Sequence, residues 1–583
     1  MPPRTDIEIF RHQLKSVVEE MEVTLQRTAY STNIKTRKDF TCAVFDADFN
    51  LVAQPQAPHH IGSLVSSVPR NMKPLVDELE TGDGVLVNDP YRGGTHLPDI
   101  TLISPIFHRE EIVGYAANIA HHVDIGGAIA GSLPTDETEI YPEGLIIPGT
   151  KAVENWEYDD NIMDLILRNV RAPEKREGDY HAQLGTNRIG TERYLELLEE
   201  YGRESFEARL GELVDYTEEL VRAAIEELPD GRYEAEDYLD GDGVVNEPVK
   251  LALAVVIEDD EIKVDFEGTA DQNKGPLNAP EAITLAGCLP VIMSFLGGGE
   301  LPKNEGFYRP FSMHLPEGSM VNPGENAPIV GCMEVGMRIS DLITKAMAEV
   351  MPDRTIASSK GVACIVTYGG MDPRDDQFKV FMESLAGGYG ARPTKDGLEA
   401  VQPHAQNTAN SPIEELETEV PVYVRRYELR QDSQGPGRYR GGMGLRRDLE
   451  FYAPETEFSV LSDRKESQPW GLFGGGSASS ARYVINPESD DPDILDSKDN
   501  VTLGQNDIAS VQTPGGGGYG PPLQRDPESV LRDVIDGKVS EERAYEVYGV
   551  VLDLERRAVD WEKTEERREE LEQAEAATGG GGK

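Results

Sequence analysis

The chain has 583 residues, with 106 Asp and Glu against 56 Lys and Arg, a formal net charge of −50 and a hydrophobic content of 38%. That charge disfavours direct binding to nucleic acid or to an anionic membrane, whose phosphates it would repel, and the apolar content with clear periodicities excludes a disordered solvating polymer. The acid is spread along the chain rather than gathered in a tail, which points to a cytoplasmic, halophilic enzyme adapted to molar salt, where counterions screen self-repulsion.

The first residues, MPPRTDIEIF, open directly into a charged helix and carry no signal-peptide pattern. Thr5-Asp6-Ile7-Glu8 reads as a capping box, and Phe10, Leu14, Val17, Met21 and Leu25 recur at helical spacing behind it. A hairpin follows over 41–46 and 51–54. Next come two apolar stretches, 100–107 and 112–120, joined by the polar turn His108-Arg109-Glu110-Glu111; strands joined by so short a loop run antiparallel. A helix is expected from about 191 to 228, ended by Pro229-Asp230-Gly231. Beyond it lie a strand at 232–239 and a hairpin over 250–258 and 261–267. A buried helix is read at 277–296, which Pro290 should start or kink, and another at 341–351, capped by Ser340. Strand-like runs occupy 361–368, 377–383, 420–429, 451–461 and 481–486, and 487–499 reads as an acidic surface loop. The last part, from 526 to about 576, is charged and helical, with a frayed TGGGGK end. No stretch reaches 18 apolar residues, so no membrane span is expected.

These elements predict a large multi-lobed chain of the α+β or mixed α/β class, with several mixed or antiparallel sheets, hairpins and a helical C-terminal segment. The division expected is an N-terminal lobe over 1–200 that carries the second hairpin, a middle α/β lobe over 201–350, a β-rich lobe over 351–520 and a charged helical tail over 521–583.

Residues of metal-ligand type gather at both ends of the second hairpin. NDPYRGGTHLPDIT brings Asp89, His96 and Asp99; NIAHHVDIGG brings His121, His122 and Asp124. A turn near Glu110 sets Asp99 roughly opposite Ala120 and His121, so His96 and His121 meet in space. Two imidazoles with one to three carboxylates make a mixed nitrogen and oxygen site, suited to one divalent Mn, Zn or Fe and not to a thiolate-seeking ion. Such a site leaves positions open for water or substrate. On a regular strand His121 and His122 point to opposite faces, so at most one points inward; spacing alone leaves open which. Asp and His near strand ends also serve as ordinary turn residues.

Other motifs carry less. The glycine clusters fit neither GxxxxGK[ST] nor a strand–GxGxxG–helix context, so turns and tight backbone crossings are expected of them. Arg309, Arg392 and Arg464 are substrate-binding candidates, since a guanidinium fork grips carboxylate or phosphate; packing or an ion pair is the default for each. No GxSxG elbow is present. Cys42, Cys288, Cys332 and Cys364 form no CxxC pair, and Cys42 reads as a core thiol. His12 reads as solvated, and His181, His314 and His404 as structural.

Longer motifs carry a resemblance. RKDFTCAVFDADFNLVAQ with PHHIGSL, VNDPYRGGTHLPDITLISPIF, HHVDIGG, VDFEGTADQNKGPLN, NEGFYRP, RQDSQGPGRYRGGMGLRRD and TPGGGGYGPPLQRDPESVLRDV follow one another in this order. In them the chain resembles the hydantoinase B / oxoprolinase family, which includes N-methylhydantoinase B-type subunits and, as relatives, the large subunits of acetone- and acetophenone-type carboxylases. The resemblance implies a metal site carried by His96, Asp99 and His121 as HxxD…H. It adds Asp89, Asp124 and His122 as nearby catalytic candidates, with Asp89 or Asp124 as general base, and His60 facing the same cleft. The activity implied is that of a hydrolase on C–N bonds of cyclic amides: the B-type subunit opens a hydantoin or 5-oxoproline ring and depends on ATP held by an A-type ATPase subunit, in a hetero-oligomer such as α2β2. The alternative is the large subunit of an ATP-dependent ketone carboxylase.

With this charge the melting temperature should be higher in molar KCl than in dilute buffer; equal values in a thermal scan would remove the salt-adaptation reading.

Overall fold

Alternation of apolar residues on both faces of strands 40–46, 99–108 and 111–121 makes a sheet that must be covered on both sides. The computed structural model of the chain, which describes residues 5–55, 62–297, 301–406 and 408–578, shows how this is done. The strands β1 (Phe40–Asp46), β2 (Leu51–Ala53), β3 (Gly84–Val87), β4 (Asp99–His108), β5 (Glu111–His121), β6 (Thr150–Glu154) and β7 (Glu157–Tyr158) form one antiparallel sheet in the order β2-β1-β5-β4-β3-β6-β7. One face, with Cys42, Val44, Ala116 and Ala120, packs on α1 (Thr5–Thr28) and on α5 (Pro173–Tyr201), which follows α2 (Thr32–Lys35), α3 (Ser63–Met72) and α4 (Asp160–Asn169). The other face, with Ala43, Phe45, Ile103, Ala117 and Ile119, packs on Leu64, Val68 and Met72 of α3. The expected face of α1 is buried: Phe10, Leu14, Val17, Met21 and Leu25 all lie in the core.

A ladder of amides fastens α5 to the sheet. Asn118 Nδ2 donates to Gln183 O and Asn187 Oδ1 (2.9 and 2.7 Å), Gln183 Nε2 donates to Ile100 O and Asn118 Oδ1 (2.8 and 2.9 Å), and Asn187 Nδ2 donates to Leu102 O (3.0 Å). Each buried amide therefore has its partners.

The middle of the chain holds α6 (Arg203–Ile225) and a four-stranded sheet of β8 (Gly231–Leu239), β9 (Val249–Glu258), β10 (Glu261–Asp265) and β11 (Phe311–His314), in the order β11-β10-β9-β8. Between β10 and β11 come α7 (Glu281–Phe295) and α8 (Glu305–Tyr308); α9 (Cys332–Ala346) follows β11 and packs on α7 and the sheet. Two further sheets share one core built from Val366, Phe381, Val422, Leu449, Phe458 and Val511. One is β13-β12-β16-β19, from β12 (Ile365–Asp372), β13 (Gln377–Ser384), β16 (Glu455–Leu461) and β19 (Lys498–Gly504). The other is β14-β15-β20-β17-β18, from β14 (Val422–Leu429), β15 (Leu445–Phe451), β17 (Arg482–Ile485), β18 (Asp493–Ile494) and β20 (Ile508–Gln512). Helix α10 (Ile413–Glu419) precedes β14. The chain ends in α11 (Pro527–Ile535), α12 (Glu541–Glu546), a small hairpin of β21 (Leu552–Asp553) and β22 (Ala558–Val559), and α13 (Trp561–Thr578). The mixed α+β class expected from the sequence is the one adopted. No helix among the described residues is long and apolar enough to cross a membrane.

Several expected boundaries move, each for a physical reason. The helix expected over 191–228 is two helices, broken at Gly202, whose φ of 77° no helix interior accepts. Pro290 does not start α7; it sits inside the helix, which continues past it to Phe295. Ser340 is not a cap: it lies mid-way along α9, and its hydroxyl donates to Gly287 O on α7 (2.6 Å), where a glycine lets the two helices approach. The apolar run 451–461 is two strands in different sheets, β15 and β16, parted at residues 452–454. The acidic loop 487–499 contains β18 and the start of β19, and the C-terminal helical stretch is interrupted by the β21–β22 hairpin.

The glycine clusters at 387–390, 441–442, 474–476 and 515–518 are backbone crossings. Gly516 N donates to Gly442 O, Gly442 N to Tyr389 O, and Gly388 N to Pro514 O, so three separate loops thread past each other with no room for side chains. At Gly441 a Cβ would lie against the carbonyl oxygen of Gly516. Gly441→Ala should therefore destabilise the chain by about 2–3 kcal/mol through overpacking of backbone on backbone, measured as a shift in the denaturant midpoint; an unchanged midpoint would show that the crossing relaxes freely.

Candidate metal centre

Strand pairing brings the site together. β4 and β5 pair from His108↔Glu111 to Asp99↔His121, with one irregularity between Ile106 and Phe107. Directly paired residues share a face, so Asp99 and His121 project side by side from the end of the hairpin. The loop that delivers His96 is fixed in advance. Asp89 caps the short 3-10 turn Pro90–Arg92 by accepting from Tyr91 N (2.9 Å). Gly93, at φ 91°, reverses the chain where a Cβ would strike the backbone of Ser67. Asn88 donates to Leu97 O and Leu145 O (2.8 and 2.9 Å) and accepts from Ile147 N (2.7 Å). Asp99 N then donates to His96 O (3.0 Å), which draws His96 over the strand end.

The three side chains converge. Asp99 Oδ2 lies 2.8 Å from His96 Nδ1, and Asp99 Oδ1 lies 3.0 Å from His121 Nδ1. The imidazole centroids are 4.9 Å apart. Each residue offers a ligand atom within 4.8 Å of the others, and all three are buried. The Thr95 hydroxyl also donates to Asp99. His121 Nε2 is enclosed and makes no hydrogen bond among the described residues. Two imidazoles, one carboxylate and an enclosed ring nitrogen left without a hydrogen bond are the donor set of a divalent ion such as Mn, Fe or Zn, so these residues could hold one. The start of α9 closes on the same region: burial, and then the Asp99 carboxylate, hold the Cys332 thiol well above its ordinary range.

His121 and His122 separate as alternation demands. His122 turns to the opposite face, lies tilted against the Tyr180 ring with centroids 4.5 Å apart, and sits 2.9 Å from Gln183 Oε1 through Nε2. Because the Gln183 amide nitrogen already donates to Ile100 O and Asn118, its oxygen is the acceptor and His122 Nε2–H the donor. Burial holds the His122 imidazole down at about 4.

The remaining candidates have other surroundings. Asp124 is a loop staple: its oxygens accept from Gly126 N, Arg171 N, Gly131 N and Arg171 Nη1 at 2.9 to 3.1 Å. Asp89, half-buried with its carboxyl pushed up by burial, lies outside the ligand cluster. Arg309 is paired with Asp215 and Glu218 of α6 (3.0 and 2.9 Å). Arg392 Nη2 donates to Asp396 O (2.9 Å). Arg464 is enclosed in protein, bonded to Asp237, Ser358 and Gln468 O (each 3.1 Å). His60 lies outside the described residues.

One carboxylate escaped the sequence reading. β1 pairs β5 at Phe40↔Ala120, and one step further His121 N donates to Asp39 O (3.0 Å). Asp39, His121 and Asp99 thus lie in one row across three strands. Asp39 was visible in RKDF, but nothing local announces that β1 pairs with β5.

Comparison with known proteins agrees with this architecture. A family profile described as hydantoinase B/oxoprolinase matches residues 4–522. An uncharacterized protein of Methanocaldococcus jannaschii is 40% identical over 94% of this chain and 96% of its own length. The putative B-type subunit of a D-/L-hydantoinase from a Pseudomonas species is 32% identical over 96% and 97%. Among solved structures, an ATP-dependent caprolactamase from Pseudomonas jessenii superposes with a TM-score of 0.91 at 30% identity, covering 97% of this chain and 99% of that one. A nucleotide-free acetone carboxylase superposes with a TM-score of 0.90 at 20% identity, over 98% and 83%, a likeness of fold alone.

Gln183→Leu would leave His122 Nε2–H, Ile100 O and the Asn118 oxygen without their buried partner. The expected loss is roughly 2–4 kcal/mol of stability, read by chemical denaturation; a loss below about 0.5 kcal/mol would mean that His122 finds another acceptor.

Proposed function

The chain belongs to the hydantoinase B/oxoprolinase family, and from that premise we propose that it is the B-type subunit of an ATP-dependent cyclic-amide hydrolase, with its chemistry at His96, Asp99 and His121. The observation that carries this reading is the convergence of these three buried side chains at the end of one hairpin, in a chain that matches a putative B-type hydantoinase subunit over 97% of that protein's length. The alternative, a ketone carboxylase subunit, rests on a likeness of fold and gains no separate support.

A divalent ion held by His96, Asp99 and His121 would supply Lewis-acid polarisation of a carbonyl and a bound water of lowered pKa. The chain's own groups do the rest. Asp99 brings the single formal negative charge of the triad, and the Thr95 hydroxyl fixes its carboxylate. Burial of all three residues keeps bulk water away and strengthens every charge interaction there. A water attacking the ring carbon needs a base. Asp39, in the row beside His121, and Asp89, at the head of the loop that carries His96, are the carboxylates near enough in the fold to be tested for that role. Asp124 and His122, expected beside them, serve instead to hold the loop and the back of the strand.

Ring amides resist direct hydrolysis. Phosphorylation of the amide oxygen makes the ring carbon electrophilic: one water adds and the C–N bond breaks to leave an acyl phosphate, and a second water then releases phosphate and the free carboxylate. The glycine loops at 387–390, 441–442, 474–476 and 515–518 are filled by backbone crossings, so the nucleotide is assigned to an A-type partner subunit. Relatives named as B-type or β subunits support assembly with a partner.

Co-purified with its A-type partner, the chain should open 5-oxoproline, a hydantoin or caprolactam only when ATP is present. Asp99→Ala should lower the rate by at least about 1,000-fold, as expected when a metal's polarising role is lost, and should reduce bound metal from near one per chain to near none by elemental analysis, with the fold retained by circular dichroism. Full activity in Asp99→Ala, or ring opening without nucleotide, would sink the reading.

A further inference from the structure

A second cavity opens on the other side of the same hairpin end, away from His96, Asp99 and His121. Its volume is about 350 Å³, within the range of small-molecule sites. It lies between the N-terminal turn of α5, the segment at Ser31 and Thr32, and β13 with the end of α10. Val123, two residues beyond His121, forms part of its wall.

Three independent features point to an anion. Arg176 is 2% exposed, and its Nε and Nη1 make no hydrogen bond among the described residues. Asp179 and Asp124 balance its charge from a distance but make no hydrogen bond to it among the described residues: Asp179 Oδ1 accepts from Tyr30 N and Ser31 N (2.8 and 2.9 Å), and Asp124 holds its own loop. A buried guanidinium with two nitrogens left without hydrogen bonds calls for a further acceptor. Next, α5 is 29 residues long and starts at this cavity with Ala172 in the left-handed region and no capping side chain. Its first-turn N–H groups and dipole therefore favour a negative charge. Finally, the Ser31 hydroxyl is buried at the cavity without a hydrogen-bond partner among the described residues.

The walls define the rest of the ligand. Val123, Phe378, Val380 and Val420 are apolar. Lys175 and Glu419 neutralise each other, Lys379 is paired with Asp375 (2.7 Å), and Glu174, also on the wall, is exposed to solvent. One buried guanidinium beside an apolar patch suits a carboxylate on a short aliphatic body. An inorganic phosphate, with its higher charge, would want more donors than this cavity offers.

We propose that the cavity at the N-terminus of α5 is a binding site for a small aliphatic carboxylate, separate from the metal centre, with Arg176 as its anchor. The ligand would press on the strand end from behind, through Val123 and α5, the helix that one to two turns further along carries His122's partners Tyr180 and Gln183. The site stands on its own geometry, so it survives or fails independently of the proposed ring-opening chemistry.

The test is calorimetric titration of the full chain with hexanoate. One site per chain is expected, with a Kd on the order of 1 mM or tighter. Arg176→Met should weaken binding at least about tenfold, a loss of about 1.4 kcal/mol. Arg176→Lys, which keeps the charge and loses the planar fork, should fall between the two and decides the matter if the Met variant does not fold. Asp99→Ala should bind hexanoate as the parent does. Binding unaffected by either Arg176 substitution would overturn the proposal. So would binding lost in Asp99→Ala, which would place the anion at the metal centre. Inorganic phosphate that competes as strongly as hexanoate would overturn the carboxylate class.

Discussion

The pairing of Asp99 with His121 at the mouth of the β4–β5 hairpin is the constraint on which the site depends. Had the two strands slipped by a single residue, every side chain would have changed face, and Asp99 would stand opposite Ala120 or His122 instead. The register is held by burial on both faces of both strands, where a slip would expose or overpack an entire row. The turn at Arg109, a non-glycine residue at φ 64°, is made by two residues, and the tight turn and the buried strands together fix one alignment.

From that alignment a division of labour follows. His121 faces the ligand cluster, and His122, one residue on, faces α5 and becomes part of the ladder of amides that fixes the helix to the sheet. The same helix begins at the cavity where Arg176 is buried. One hairpin end therefore has chemistry on its front and a polar, rigid backing behind, and α5 connects that backing to a second concave surface.

Charge is handled differently in the interior and on the surface. Outside, the excess of acid is solvated. Inside, the seam between α9 and the C-terminal sheets is an ion network: Arg338 pairs Asp463 (2.8 Å), Lys498 pairs Asp463 (3.0 Å), Arg464 bonds Asp237 (3.1 Å), and His404 bonds Asp341 (2.8 Å). Burial raises the Asp341 carboxyl, but His404 and Arg464 more than offset it and leave it at about 2. Such pairs add little net stability over apolar packing, yet removing one partner is strongly destabilising, so the network fixes how these parts dock. Arg464, a candidate substrate grip when read from SDR, is used up in this seam.

Local sequence determined what depends on neighbours in the chain: the face of α1 through Phe10 to Leu25, the two strands and turn of the metal hairpin, the opposition of Asp99 and His121, and the glycine loops as crossings rather than phosphate cradles. It fell short where the deciding partner is far along the chain. Ser340 looks like a cap until Gly287 of another helix supplies its acceptor. Asp124 looks catalytic until the amides of its own loop and the backbone and side chain of Arg171 close around it, and Asp39 looks unremarkable until β1 lies down beside β5. Which imidazole turned inward could be settled only by tertiary structure, because strand alternation dictates that His121 and His122 diverge but not which face the helices cover and which face receives His96.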